Sequence, residues 1–272
     1  MKEITDVDEL KRIELDLLKK VFAFCKARGI RCYLGGGTLL GSVRHKGFIP
    51  WDDDVDVMMP RPDYEKFCSE FSMPDASVHC FRRDQDYYLP FAKVYDDRTA
   101  LVEDRDPHGK SAVYVDVFPI DGFKNHDVVS NRVSRELNRC MAFLSLRRSP
   151  PLFRRRPFMR QIGLWIGLPL RLLPQSWRNA LAFRALDRFD RFLSSSVFDS
   201  APFAAVAVCD FTPKKIVPKR IFDPGPEMRF EDSMFTAPAG WQENLSSLYG
   251  DYMVLPAPEK RITHHSFRAW WK

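Results

Sequence analysis

Apolar residues recur at Leu10, Ile13, Leu17, Val21 and Phe24, the spacing of one buried helix face. Thr5 or Asp6 can cap the start, Asp6 with Glu9 resembles a capping box, and Gly29 can end the run. The pattern predicts a helix over Asp6–Arg28, followed by a short strand, Ile30–Leu34. Gly35–Gly37 then reads as a tight turn and Thr38–Arg44 as a short helix. Asp54–Met58 alternates carboxylate and valine, as a strand with one buried face does. Pro62–Phe71 predicts a helix with Tyr64, Phe67 and Phe71 inward. Ser77–Phe81, Phe91–Tyr95, Thr99–Val102 and Val113–Phe118 are candidate strands. The first half is thus a mixture of helices around a small sheet, and the expected fold class is α+β.

The pattern changes near Ser149. Ser149–Phe192 mixes large apolar residues and prolines with Arg154, Arg155, Arg156, Arg160, Arg171, Arg178, Arg184, Arg188 and Arg191, against only Asp187 and Asp190. It reads as helices broken by Pro169 and Pro174. After it, Ala204–Lys272 is loop-rich with a mixed patch at Met228–Tyr249. Three parts are expected: a core over residues 1–148, an arginine-rich helical insertion over 149–203, and a C-terminal part, 204–272, packing back on the core.

Composition narrows the picture little. The 272 residues suit one large domain, or one with an insertion, and 45% hydrophobic content is ordinary. A net charge of +6 is a weak pointer to acidic partners. Nucleic acid is not the expected partner, because no recognised reader motif accompanies the charge. Met1–Lys20 is charged throughout, so no leader is expected. The longest apolar stretch, Ile162–Leu170, is too short to span a bilayer. Cys25, Cys32, Cys68, Cys80, Cys140 and Cys209 form no Cys-x-x-Cys pair, which fits small core residues in a reduced, cytoplasmic protein.

The chemistry concentrates in Tyr33–Val57. A strand, a glycine turn and a helix point free backbone N–H groups outward, which makes an anion site. Asp54 and Asp56 are two apart on a strand and share a face. Parallel carboxylates repel unless a cation lies between them, and Mg²⁺ (or Mn²⁺) suits such oxygen ligands and leaves positions open for phosphate. Asp116, in Tyr-Val-Asp-Val-Phe, is the candidate third carboxylate of a metal site. An EF-hand is excluded: Val57 stands where the loop needs glycine, and Asp63 rather than glutamate is at the twelfth position.

The segment Gly-Gly-Gly-Thr-Leu-Leu-Gly-Ser-Val-Arg-His-Lys-Gly-Phe-Ile-Pro-Trp-Asp-Asp-Asp-Val-Asp-Val resembles the signature of the LicD family of phosphotransferases, members of the nucleotidyltransferase superfamily. Val-Tyr-Val-Asp-Val-Phe-Pro-Ile-Asp-Gly122 resembles the family's second block. Leu-Tyr-Gly-Asp-Tyr-Met253 with Leu-Pro-Ala-Pro-Glu-Lys-Arg261 resembles its C-terminal block. The resemblance implies a nucleotidyltransferase-like mixed sheet and transfer of phosphocholine, or a related alcohol phosphate, from CDP-choline or a similar CDP-linked donor. The implied acceptor is a hydroxyl of a glycan or lipid-linked glycan, as in lipopolysaccharide, teichoic acid or capsule, and CMP leaves. It implies that Gly36, Gly37 and Thr38 hold donor phosphates and that Asp54 and Asp56 ligate the metal. Asp116 would be a third ligand, a base toward the acceptor, or both. The superfamily's Gly-Ser pair is Gly-Thr here, which keeps the hydroxyl.

Arg44, His45 and Lys46 lie between turn and aspartates and are candidates for phosphate or acceptor contact; Lys93 is a candidate to neutralise donor phosphate. Trp51 could stack on a base or a choline group. Asp52 and Asp53 are expected to shape the loop or lie in an outer shell of the metal, Asp121 to cap a turn with Gly122, and Tyr249–Asp251 to close the fold over the site. His264 and His265 lack ligand spacing. Phe158–Leu173 mixes Trp, Leu and Ile with arginines, as a segment contacting an anionic membrane does. Two other functions remain open on sequence: an Asp-x-Asp glycosyltransferase and a membrane-associated binding module.

Overall fold

The computed structural model describes the chain except residues 85, 104–105, 148–167, 196, 209–210 and 262–266. Arg154–Arg156, Arg160, Cys209, His264 and His265 therefore lie outside the described residues.

The first helix, α1, runs Val7–Arg28 with Asp6 as its N-cap. Asp6 Oδ1 accepts the Asp8 N–H at 2.9 Å, a cap worth about 1 kcal/mol. Glu9 does not close the predicted capping box; it accepts the Trp271 indole N–H at 2.9 Å. Asp8 and Glu9 in the first turn and Lys26 and Arg28 in the last complement the helix dipole. Gly29, at φ +63°, ends the helix. The predicted stripe of Leu10, Ile13, Leu17, Val21 and Phe24 is buried.

Strand β2 is only Tyr33–Leu34, and helix α2 is Gly36–Arg44, so the glycine turn is the first turn of the helix. Strand β3 is Asp56–Pro60 and helix α3 is Arg61–Glu70. Then come β4 (Ala76–His79), β5 (Ala92–Asp96), β6 (Thr99–Glu103), β7 (Asp106–Ser111) and the long β8 (Tyr114–Phe123). The predicted elements are present, with ends shifted by a few residues.

Strand β8 organises the main sheet. It pairs in parallel with β3 on one edge. On the other it pairs antiparallel first with β5 and then, over Asp121–Phe123, with β9 (Phe203–Ala205). Strand β2 flanks β3, β4 flanks β5, and β10 (Val217–Pro218) flanks β9. Val55, Val57, Ala92, Val94, Val115 and Val117 leave one face and pack on Leu17, Leu18, Val21 and Phe24 of α1 and Phe67 of α3. These side chains are buried, so truncating one, as in Leu17→Ala, should cost about 2–5 kcal/mol.

One helix had no counterpart in the sequence pattern. Helix α4 (His126–Ser145) packs on helix α5 (Gln175–Leu193), and Val133, Leu137, Leu186, Phe189 and Leu193 share a core with Phe123 and Ala205. The arginine-bearing helix α5 thus joins the end of β8. Pro174 separates it from a short helical turn, Leu168–Arg171, as expected, and stands at its N-cap, where a proline's missing N–H is not needed. Asp121 is not a turn cap. It is a buried strand residue in bidentate contact with Arg61 at 2.6 and 2.9 Å, and Arg61 also bonds Asp190 of α5 at 2.9 Å.

The C-terminal part holds a hairpin, β11 (Pro224–Phe230) with β12 (Ser233–Pro238), then helix α6 (Trp241–Tyr249). Strand β13 (Phe267–Trp271) inserts between β1 (Lys2–Ile4) and β6, in a second sheet ordered β1-β13-β6-β7. Among the described residues no helix is long and apolar enough to cross a membrane. Cys25, Cys32, Cys68, Cys80 and Cys140 are all buried and free.

Candidate active site

Strand register brings the predicted residues together. Asp56 on β3 is the register partner of Asp116 on β8, which is in turn the partner of Lys93 on β5. Paired residues of neighbouring strands project from the same face, so Asp56, Asp116 and Lys93 form one row opposite the valines. Lys93 Nζ lies 2.9 Å from Asp116 Oδ1 and 3.0 Å from the centroid of the Tyr114 ring. Both charged residues are buried.

Helix α2 covers Asp56. The Asp56 N–H donates to Thr38 Oγ1 at 2.8 Å, and Gly35 N–H donates to the Asp56 carbonyl at 3.0 Å. Gly37 N–H reaches Asp56 Oδ2 at 3.4 Å. Gly36 has φ +44°, and a Cβ there would collide with Asp56 Oδ2; one on Gly37 would come within 2.6 Å of Asp52 Oδ2. Only a bare backbone lets the helix start this close to the carboxylates. Thr38 is buried with its oxygen on the strand, so it locks the aspartate's backbone.

The carboxylates feel one another. Burial, then Asp54, Asp116 and Asp52, push the Asp56 carboxyl well above the usual range, against the Gly37 N–H. Val55 and Val57 are buried, while Asp54 and Asp56 are partly exposed, as the alternation predicts. Asp54 precedes the strand proper, but the Val55 carbonyl still accepts the Asp116 N–H at 2.8 Å. Among the described residues no group of three carboxylates, imidazoles or thiols is already gathered to hold a metal ion. The hard oxygen donors of Asp54 and Asp56, and their mutual repulsion, fit a divalent cation bound by two protein carboxylates with phosphate and water completing its shell.

A basic side stands next to this acidic one. Arg44, in the last turn of α2, donates from Nη1 to the Tyr252 carbonyl at 3.2 Å and from Nε to His45 Nε2 at 3.0 Å. Its guanidinium lies 5.9 Å from the Trp51 ring centroid, and His45 meets the same ring edge-on at 6.1 Å. Burial and Arg44 lower the His45 imidazole. Lys46 is not part of the group: it is exposed, its ammonium donates to the Val43 carbonyl at 3.2 Å, and its carbonyl accepts the Glu231 N–H.

Two contributors, Glu14 and Arg261, had no role assigned from sequence, while Tyr249 was expected only to close the fold over the site. Glu14 of α1 is 3% exposed, and its Oε2 has no hydrogen-bond partner. Burial, then Asp54 and Asp53, push it well above the ordinary carboxylate range. The available signal was a carboxylate on an apolar stripe, between Ile13 and Leu17. Tyr249 comes from the end of α6, and burial together with Asp56, Asp52 and Asp54 raises its hydroxyl, against Arg44. Arg261 lies with its guanidinium 5.5 Å from the Trp51 centroid.

Comparison with known proteins agrees with this geometry. Residues 29–143 match the family described as LicD/FKTN/FKRP, nucleotidyltransferase domain. The lipopolysaccharide cholinephosphotransferase LicD of Haemophilus influenzae is 28% identical over 281 aligned positions, covering 99% of both chains. The ribitol 5-phosphate transferase FKRP of Mus musculus is 51% identical over 37 residues, which are 14% of this chain and 8% of that one.

Proposed function

We propose, from the match of residues 29–143 to the LicD/FKTN/FKRP family and the likeness of the whole chain to a LicD cholinephosphotransferase, that the chain is a LicD-type transferase that moves phosphocholine from a CDP-linked donor to a hydroxyl of a cell-surface glycan, releasing CMP. The observation that carries the reading is the row Asp56–Asp116–Lys93 beneath a helix start opened by glycine. Choline is favoured over ribitol because likeness to the cholinephosphotransferase runs along the whole chain, whereas likeness to the ribitol 5-phosphate transferase is confined to a short segment.

Asp54 and Asp56 would hold Mg²⁺. That ion supplies positive charge to the phosphoryl oxygens. Backbone N–H groups at Gly36 and Gly37 add their dipoles on the same side. Asp116 takes the proton of the acceptor hydroxyl as its oxygen attacks the choline-bearing phosphorus. The bond from that phosphorus to the bridging oxygen breaks, and CMP leaves with the electron pair. Lys93 and the Tyr114 ring hold Asp116 in place for this.

The acceptor suits a membrane-proximal enzyme. Leu172, just before α5, is 79% exposed and Trp177, in its first turn, 64%, with Arg171 and Arg178 next to them in sequence. Apolar side chains among arginines fit the interface of an anionic bilayer, which supports peripheral attachment.

The test is a nucleotide-release screen of CDP-choline, CDP-ribitol and UDP-sugars with and without chelator. CMP released from CDP-choline, lost in chelator and in Asp54→Asn and Asp56→Asn, is the expected result. UDP release from a UDP-sugar with none from any CDP-alcohol would overturn the reading in favour of a glycosyltransferase.

A further inference from the structure

We propose that Arg44 and Arg261 form a two-armed clamp for the diphosphate of the donor, built on Trp51 beside the carboxylates; only the donor's identity rests on the function proposed above. The two guanidinium groups come from distant parts of the chain, the end of α2 and the turn after Pro258–Lys260. They meet at one indole, 5.9 and 5.5 Å from its centroid.

Each arm is held by main-chain oxygen rather than by a carboxylate. Arg44 Nη1 donates to the Tyr252 carbonyl at 3.2 Å, and Arg261 Nε donates to the Pro256 carbonyl at 2.8 Å. Among the described residues neither arginine makes an ion pair, although Asp52 is in electrostatic range of Arg44. These bonds aim the side chains and leave outer N–H groups for a ligand.

The arrangement costs free energy while empty. Burial lowers the affinity of Arg44 for its proton, and the Arg261 charge lowers it too, against Tyr249 and Asp52. Two like charges held at one indole become more favourable when an anion lies between them. A guanidinium fork matches two oxygens of one phosphate, so two forks match the two phosphates of a diphosphate better than a single phosphate. The cation–π contact with Trp51 helps hold both groups beside one another. The carboxylates within range of Arg44 and Tyr249 put the metal side of the site next to the clamp, as a diphosphate shared between cation and arginines needs.

The clamp also explains the C-terminal return. Tyr249, Tyr252, Pro256 and Arg261 follow one another from α6, and each either reaches the site or orients a residue that does. Residues 249–261 thus complete the donor pocket rather than merely cover it.

The test is calorimetric titration of the full chain with inorganic pyrophosphate in chelator, alongside inorganic phosphate. Wild type, Arg44→Gln, Arg261→Gln, Arg261→Lys and a partly exposed control, Lys215→Gln, are compared, with thermal melts to confirm folding. Pyrophosphate binding about 10- to 100-fold weaker in each glutamine variant is expected, from the worth of a charged hydrogen bond. Arg261→Lys should fall between, Lys215→Gln should match wild type, and phosphate should bind wild type more weakly than pyrophosphate. In turnover, Arg261→Gln should raise the donor KM more than it lowers kcat. Pyrophosphate affinity unchanged in folded Arg44→Gln and Arg261→Gln, or lost equally in the control, overturns the clamp even if CDP-choline proves to be the donor. If CDP-choline is not turned over while pyrophosphate binding still needs both arginines, the clamp stands and the donor assignment falls.

Discussion

Asp56 on β3 and Asp116 on β8 are register partners in a parallel strand pair, so two carboxylates sixty residues apart in the chain share one row of the sheet. Neither position could be moved by one residue without sending its side chain into the valine core. Asp56→Asn and Asp54→Asn should lower turnover by at least about 100-fold, the scale of losing a charge-stabilising group. The melting temperature of the metal-free protein should hold or rise, because a neutral amide ends the repulsion from Asp54 and Asp116 that elevates Asp56. Retained turnover in both variants would remove the metal role.

Gly36→Ala should retain the fold and lose activity. The left-handed φ of +44° costs a side chain of order 1 kcal/mol, and the new methyl displaces the Asp56 carboxylate. A lower melting temperature with undiminished turnover would show that this close approach is structural alone.

Lys93→Met leaves the Asp116 charge buried without its ammonium. A loss of about 3–5 kcal/mol in denaturant unfolding is expected. The double variant Lys93→Met with Asp116→Asn should recover most of that stability but no activity. If the two losses simply add, the pair is not coupled as its 2.9 Å separation implies.

Glu14 has a raised carboxyl, so the folded state binds its proton more tightly than the unfolded chain does. Its contribution favours folding at low pH and is lost as pH rises from the unfolded value, about 4.3, through the folded one. Glu14→Gln removes that loss. The metal-free variant should melt a few degrees higher than wild type at pH 7, by the usual conversion of about 1 kcal/mol, and the gain should vanish below about pH 4. A lower melting temperature at pH 7 would show that the ionised carboxylate is needed for folding.

Replacing Leu172 and Trp177 with serine should weaken co-sedimentation with phosphatidylglycerol vesicles by roughly tenfold or more, since each side chain buries apolar area worth about 1–2 kcal/mol. Binding to neutral phosphatidylcholine vesicles should already be poor. No change on anionic vesicles at low salt would place the membrane contact elsewhere or exclude it.

The α1 stripe, the glycine turn and the alternation around Asp54 and Asp56 were legible because each is local and periodic. Other features were not. Asp121 beside Gly122 looked like a turn, yet β8 runs on through it because β9 pairs there and Arg61 neutralises the carboxylate. Lys46 stood in the motif and points away, because its backbone turns at φ +61° toward Glu231. Strands β1 and β13 are short pieces from opposite ends of the chain: β1 is paired by β13, and β13 by both β1 and β6.

The sequence by itself determined the strand-turn-helix unit, the shared face of Asp54 and Asp56, and the kind of chemistry those residues suit. These follow from spacing within a few residues, where backbone geometry leaves little choice. Only the tertiary structure decided that Asp116 and Lys93 lie in register with Asp56, that Glu14 is buried against the same aspartates, and that Tyr249 and Arg261 return to Arg44 and Trp51. Strand register and long-range return are set by which apolar faces pack together across the whole chain, and no local pattern carries that information.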